Sequence, residues 1–283
     1  MQMFLPRIIG GIFMKIAICN EVFEGWRLES VLKYISELGY EGIEIAPFTI
    51  TDDVRKVNKK ERRQIRELAS SNGVEIVGTH WLLVTPKGLH ITHPDETIRR
   101  RTVRYLCELV KFTCDIGGRI LVFGSPEQRN IIEGVSFEKA WSYAVEAFQE
   151  CSRFAEDYGA ILAIEPLARR ITNFINTAEE AIRLIRDVSN PNFRLHLDVY
   201  SMLDEGKPIE DIIRSGREFL VHMHVNEDNR LGPGFGNVEF KPIIEALKEI
   251  GYEGFLSVEV FDFSPGSKEI ATRSIKTLRS LLK

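Results

Sequence analysis

The stretch Phe219 to Pro233, FLVHMHVNEDNRLGP, sets two histidines, two acids and an arginine at the end of an apolar run. Alternation along a strand sends His222 and His224 to one face, with Leu220 below them, and Val221, Met223 and Val225 to the other. Glu227, Asp228 and Arg230 follow, and Gly232, Pro233, Gly234 and Gly236 then end the strand. Three more apolar runs each finish in a single acid: LAIEP at Glu165, LHLD at Asp198 and LSVEVF at Glu259. Three carboxylates and one imidazole make a mostly hard-oxygen donor set, suited to one divalent ion per chain such as Mn²⁺ or Co²⁺, with Mg²⁺ and Zn²⁺ as alternatives. One such acid alone reads as a solvated strand end. Four at equivalent tips of consecutive strands read as one site, provided a fold makes those strands parallel.

The pattern from Met14 onward supplies that fold. KIAICN, EGIEIA, VEIVGTHW, RILVFG, AILAIEP, FRLHLD, FLVHMHV and FLSVEV read as strands, and each is followed by a stretch with helical spacing. The helices are expected at Trp26–Leu38, Asn58–Ser71, Pro94–Ile116, Phe137–Tyr158, Thr177–Val188, Pro208–Gly216, Phe240–Ile250 and Lys268–Leu282. Near-continuous apolar strands imply a sheet covered on both faces. Eight strand–helix units predict an α/β fold, a closed (β/α)8 TIM barrel in a single domain over 14–283, with 1–13 as an N-terminal extension. An open doubly wound sheet is the alternative, but no GxGxxG stands at any strand-to-helix junction. A loop of about a dozen residues, Leu82 to His93, has the length of a lid or binding loop.

Composition narrows the class. With 283 residues, 44% apolar and 28% charged, the chain can bury one full core. A net charge of −4 without a basic patch argues against nucleic acid. No run is long and apolar enough to span a membrane, and MQMFLPRIIGGIF lacks a proper signal-peptide core. Cys19, Cys107, Cys114 and Cys151 show no CxxC spacing, so buried thiols in a reducing cytoplasm are expected rather than a disulfide frame.

In a parallel barrel Glu165, Asp198, His224 and Glu259 converge on one mouth. His196 and His222 lie one inward step below Asp198 and His224, either as partners orienting the site or as hydrogen-bonded core histidines. His80 and Trp81, at the tip of the third strand, face the site across the mouth or simply pack there.

The set IEPL…NFINT, LHLDVY, HMHVNEDNR and GNVEFKPIIEALKEIGYEGFLSVE resembles the xylose-isomerase-like TIM barrel superfamily, and within it the ketose 3-epimerases of the D-tagatose/D-psicose type. The likeness runs from about Met14 to the end and is strongest after Ala160. It implies that Glu165, Asp198, His224 and Glu259 hold one divalent metal and that Glu165 and Glu259 are the acid/base pair. Arg230 matches a residue that contacts substrate and one catalytic glutamate, and Phe261 an aromatic lining the pocket. The resemblance further implies a homo-oligomer, dimer or tetramer, acting on a small carbohydrate. Inverting the carbon beside a ketone (C3) needs a proton removed on one face and returned on the other, through an enediolate. An aldose–ketose isomerase or a keto-polyol dehydratase would use the same proton abstraction. A catalytically silent sugar-binding barrel is a further alternative. Endonuclease IV shares the barrel but needs further histidines, which Ser201 and the FGSP tip do not supply.

Two departures concern substrate. The family's EPLNRYE reads EPLARRI here, so Ala168, Arg170 and Ile171 replace an asparagine, an aromatic and a glutamate, and Ser201 replaces a histidine. Losing an acid and gaining Arg170 leads to the expectation that a keto sugar acid is turned over better than a neutral ketose.

Overall fold

The computed structural model describes residues 14–283. The extension expected over 1–13 lies outside the described residues. Eight strands, β1 (Lys15–Cys19), β2 (Gly42–Ile45), β3 (Glu75–Thr79), β4 (Ile120–Phe123), β5 (Ile161–Ile164), β6 (Phe193–Asp198), β7 (Leu220–Val225) and β8 (Phe255–Val258), close into one barrel in sequence order. Every neighbouring pair is parallel, including β8 with β1. Around them lie α1 (Leu28–Leu38), α2 (Lys59–Ser71), α3 (Glu96–Ile116), α4 (Phe137–Asp157), α5 (Ala178–Val188), α6 (Val199–Met202), α7 (Ile209–Ser215), α8 (Phe240–Glu249) and α9 (Ser267–Leu282). The expected barrel is therefore present, with helix ends within two residues of those read from the sequence. The short α6, a single turn after β6, was not expected.

Local chemistry sets those ends. Asn58 accepts from the N–H groups of Lys60 and Glu61 while the Glu61 carboxylate accepts from the Asn58 N–H, so α2 starts on a reciprocal cap. Gly39 takes φ 88° to end α1, a conformation that costs glycine little.

The core has two compartments. Outward side chains of the strands pack under the helices; Phe148 on α4, for example, stacks on Phe193 of β6 with ring centres 4.6 Å apart. Inside the barrel, Ala17, Val77 and Phe255 with Ile120 form a separate apolar plug. Above the plug the interior turns polar: Cys19, Glu44, His196 and His222 are all buried. Two register shifts, at Ile43/Glu44 and at Leu195/His196, fall on this layer and re-aim its side chains.

The segment after β3 is not a free lid. Leu82, Leu83, Leu89 and Ile91 are buried. The Ile91 N–H donates to the Gln128 carbonyl at 2.8 Å, and Thr92 Oγ1 donates to the Arg129 carbonyl at 3.1 Å. Apolar anchors every few residues pin this loop to the loop after β4. All four cysteines are free, Cys19 and Cys151 buried and the other two half-buried.

Candidate active site

β5, β6, β7 and β8 end next to one another, and their tips carry Glu165, Asp198, His224 and Glu259. The register pairs Asp198 directly with His224. One donor atom from each of the four lies within 4.8 Å of all the others, and all four residues are buried. An octahedral site with bonds of about 2.1 Å spans about 4.2 Å, so the spacing suits one small divalent ion. Gly124, at the tip of β4, has no room for a Cβ because the Glu165 carboxylate occupies that space.

Electrostatics point the same way. Burial pushes Glu165 well above the usual carboxylate range, and Glu259 and Asp198 push it further. Burial and then Glu259 raise Asp198 to about 6. Three carboxylates crowded out of water without a cation is an unfavourable arrangement that a divalent ion relieves.

Behind the tips stands a residue the sequence reading passed over. Glu44 of β2 is fully buried and accepts from His222 Nε2 at 2.7 Å. His224 Nε2 lies 3.1 Å from each Glu44 oxygen, and His80 Nδ1 lies 3.4 Å from Oε1. Burial would raise Glu44, but His224, His222 and His80 outweigh it and hold it well below its ordinary value. Burial likewise would lower His224, but Glu44, Glu259 and Cys19 hold it well above. If Nε2–H of His224 donates to ionised Glu44, Nδ1 presents its lone pair to Glu259 Oε2 at 3.0 Å. A lone pair and a carboxylate oxygen facing each other need a proton or a cation between them. The donor set therefore fits a divalent metal.

The other inner histidines divide. His222 is held by Glu44, whereas neither nitrogen of His196 has a hydrogen bond, and its ring packs against His222 and His224. Burial and the two neighbouring imidazoles keep His196 well below its ordinary value, so it is neutral packing. Asn226 donates to Asp198 Oδ2 at 2.5 Å and accepts from the Tyr200 N–H at 2.8 Å. Fully buried Arg129 donates to the Glu165 carbonyl at 2.7 Å and the Ile175 carbonyl at 3.1 Å, fixing the chain on which Glu165 sits.

A cavity of about 360 Å³ opens over Glu165, His224 and Glu259, lined among others by His80, Trp81, Arg170, Ser201, Arg230 and Phe261. A larger one of about 870 Å³ adjoins it, sharing Trp81, Arg230 and Phe261. Trp81, Ser125 and Arg230 all take positive φ, 53°, 42° and 71°, and all three line the smaller cavity. Backbone strain of this kind persists where the surroundings over-determine it.

The six residues expected to contact substrate, Arg230, Phe261, His80, Trp81, Arg170 and Ser201, all line the smaller cavity. Arg230 donates to the Phe261 carbonyl at 3.2 Å, and no ion pair joins it to Glu165 or Glu259 among the described residues. His80 lines the cavity while only 1% exposed, and its Nε2 lies 2.9 Å from Glu21 Oε2. Arg170, expected as a new cation at the pocket wall, pairs with Asp204 at 2.8 Å and lies over the Tyr200 ring at 4.3 Å. Ser201 lines the cavity but its N–H is committed to Asp198 Oδ1 at 2.8 Å, capping α6.

Glu44 and Glu21 escaped the sequence reading although each is an acid in or just beyond an apolar strand, the signal that marked the three acidic tips. Arg129 and Asn226 carried no such signal, since a polar residue in a loop is the ordinary case.

Comparisons with known proteins agree with this geometry. The chain is 28% identical over 237 residues to the D-psicose 3-epimerase of Ruminiclostridium cellulolyticum, covering 81% of this chain and 77% of the relative. It is 32% identical over 175 residues to the L-ribulose 3-epimerase of Mesorhizobium japonicum, covering 60% and 58%. The crystal structure of D-psicose 3-epimerase with D-tagatose from Clostridium cellulolyticum H10 superposes with a TM-score of 0.84 at 23% identity, covering 95% of this chain and 100% of the other. Residues 32–281 match the model of the xylose isomerase-like TIM barrel, and this chain belongs to that family.

Proposed function

We propose that this protein is a divalent-metal-dependent ketose 3-epimerase in which Glu165 and Glu259 move the proton at C3. The observation that carries the reading is the placement of these two carboxylates. They sit on β5 and β8, at the two ends of the Glu165–Asp198–His224–Glu259 arc, under a cavity large enough for a sugar. Epimerisation needs a base on one face of the substrate carbon and an acid on the other. Relatives that are ketose 3-epimerases support the same reaction class.

When bound by Glu165, Asp198, His224 and Glu259, the metal supplies positive charge next to the substrate's carbonyl oxygen. The residues do the rest. One carboxylate of the pair accepts the C3 proton, and the other, entering protonated, returns one to the opposite face. In whichever direction one of the pair accepts the proton the other donates, and the roles exchange in reverse. Glu44 orients His224, and Arg129 and Asn226 hold the chain at Glu165 and the carboxylate of Asp198. Phe261, Trp81, Arg230 and Ser201 shape the cavity over the reacting carbon.

Asp204 neutralises Arg170, which removes the ground for preferring an acidic sugar, so a neutral ketose is the proposed substrate. The test is turnover of D-psicose and L-ribulose with Mn²⁺ or Co²⁺ in D₂O, read by NMR. Deuterium at C3 of an epimerised ketose is expected. Exchange at C1 with aldose formation, or loss of water, would assign the isomerase or dehydratase reaction instead.

A further inference from the structure

The cavity over Glu165 and Glu259, about 360 Å³, has the size of a site for one small ligand. It is the smaller of two joined spaces. The other, about 870 Å³, shares Trp81, Arg230 and Phe261 with it and lies over the segments that follow β1, β2 and β8. A ketose seated over the two carboxylates leaves that larger space empty.

Aromatic side chains dominate its wall. Phe23 and Trp26 come from the segment after β1, Phe48 from that after β2 and Phe263 from that after β8, beside the shared Trp81 and Phe261. Phe23 is buried, and Trp26 packs on Phe23 and on Tyr34 with ring centres 5.6 Å away in each case. Phe48 meets Trp81 edge to face at 6.5 Å. Phe48 and Phe263 are nevertheless 39% and 40% exposed. Two of the five large apolar side chains exposed to that degree among the described residues therefore line one cleft, and it opens into the substrate cavity.

The polar groups of this wall fall into two sets. The inner ones are spent on the chain itself. Asn20 donates to Thr49 Oγ1 at 2.7 Å and accepts from the Ala46 N–H at 2.8 Å, Thr49 donates to the Ala46 carbonyl at 2.7 Å, and Glu21 faces His80 at 2.9 Å. Glu24, Arg27 and Arg230 are exposed. A ligand group in the cleft thus meets aromatic rings along its walls and charged hydrogen-bonding partners only where it meets water. A pyranose ring divides in the same way, with C–H groups on its faces and hydroxyls around its edge. The negative face of an aromatic ring attracts such polarised C–H groups.

We propose that the substrate is a glycosylated ketose whose second sugar ring occupies this aromatic cleft, a reading that rests on ketose 3-epimerase chemistry at Glu165 and Glu259. In a 2-ketohexose only C1 lies beyond the carbonyl on one side, whereas C4 to C6 extend past the reacting carbon on the other. The longer arm is the one that can leave the smaller cavity, and attachment at O6 keeps C3 and the ketone free. Trp81, Arg230 and Phe261 stand where the linkage passes from one space to the other. Binding of the remote ring then helps to hold C3 between the two carboxylates, which is how non-reacting parts of a substrate raise kcat/KM.

The experiment compares isomaltulose, 6-O-α-D-glucosyl-D-fructose, with D-fructose, in D₂O with Mn²⁺ present, reading deuterium at C3 of the ketose unit by NMR. Isomaltulose is expected to exceed D-fructose by about tenfold or more in kcat/KM. Phe263→Ala removes an exposed ring that lines only the larger cavity. It is expected to lower kcat/KM for isomaltulose by about threefold or more and to leave D-fructose unchanged. Equal rates on the two sugars with the wild-type protein overturn the inference, leave the epimerase reading standing and give the cleft to a contact between copies of the chain. That comparison needs no variant to fold. Faster turnover of 6-O-benzyl-D-fructose than of isomaltulose also overturns it, by assigning the cleft to an apolar ring. Absence of deuterium at C3 of every sugar overturns both readings.

Discussion

Glu44 and His224 meet through a carboxylate placed symmetrically on a ring nitrogen, with Nε2 3.1 Å from both Oε1 and Oε2. The contact fixes which nitrogen of His224 faces Glu259, and with it the orientation of the only imidazole in the four-residue site. Removing such an orienting partner typically costs 10–100-fold in metal affinity. Glu44→Gln is therefore expected to weaken Mn²⁺ binding by about tenfold or more, read by titration, with far-UV circular dichroism unchanged. Wild-type affinity in this variant would show that packing alone orients the ring.

Glu165→Gln and Glu259→Gln should each lower kcat by about 10³-fold or more, since each removes a proton carrier. The metal-free Glu165→Gln protein should also melt a few degrees higher than metal-free wild type, about 2–4 °C per kcal/mol gained. The reason is that Glu165 is pushed up by burial and by Glu259 and Asp198, and a neutral amide is spared both penalties. A lower melting temperature for that variant would show the carboxyl makes contacts worth more than the repulsion.

Arg170 lines the cavity with its charge already paired to Asp204 at 2.8 Å. Neutral ketoses are expected to exceed keto-hexonates by about tenfold in kcat/KM, a difference of about 1.4 kcal/mol. Asp204→Asn leaves Arg170 without its countercharge and should narrow that gap. A side-by-side assay in which the acid substrate already wins with the wild-type enzyme contradicts this pairing as the deciding contact.

His90 lies away from the metal-capable cluster, and burial, with His93 beside it, lowers it to about 4. The unfolded chain takes up this proton near 6.5, so between those values the unfolded state binds more protons than the folded one. The contribution is full above pH 6.5 and is lost as pH falls toward 4. Urea unfolding of His90→Gln alongside wild type should show a stability difference that shrinks as the solution is acidified through that window. A constant difference would mean that His90 titrates normally in the fold.

The substrate-side expectations show where reading along the chain stops working. Arg170 and Asp204 are separated by 34 positions and meet only because the loops after β5 and β6 run side by side at the barrel mouth. Glu21 and His80 come from the ends of β1 and β3, with β2 and its Glu44 between them. No local pattern announces a pair of that kind, because neither residue's neighbours in sequence are its neighbours in space.

Alternation and apolar runs are local consequences of strand and helix geometry, so the sequence by itself determined the eight βα units. Parallel pairing then obliged Glu165, Asp198, His224 and Glu259 to emerge at one end. What only the tertiary structure decided is how those tips are charged and oriented. Barrel closure sets β1 beside β8 and brings β2 and β3 to face β7, so that Glu44 grips His222 and His224 and Glu21 meets His80. These interactions depend on burial and on distances of a few ångströms between strands, and one residue of register shift at Ile43/Glu44 sets them.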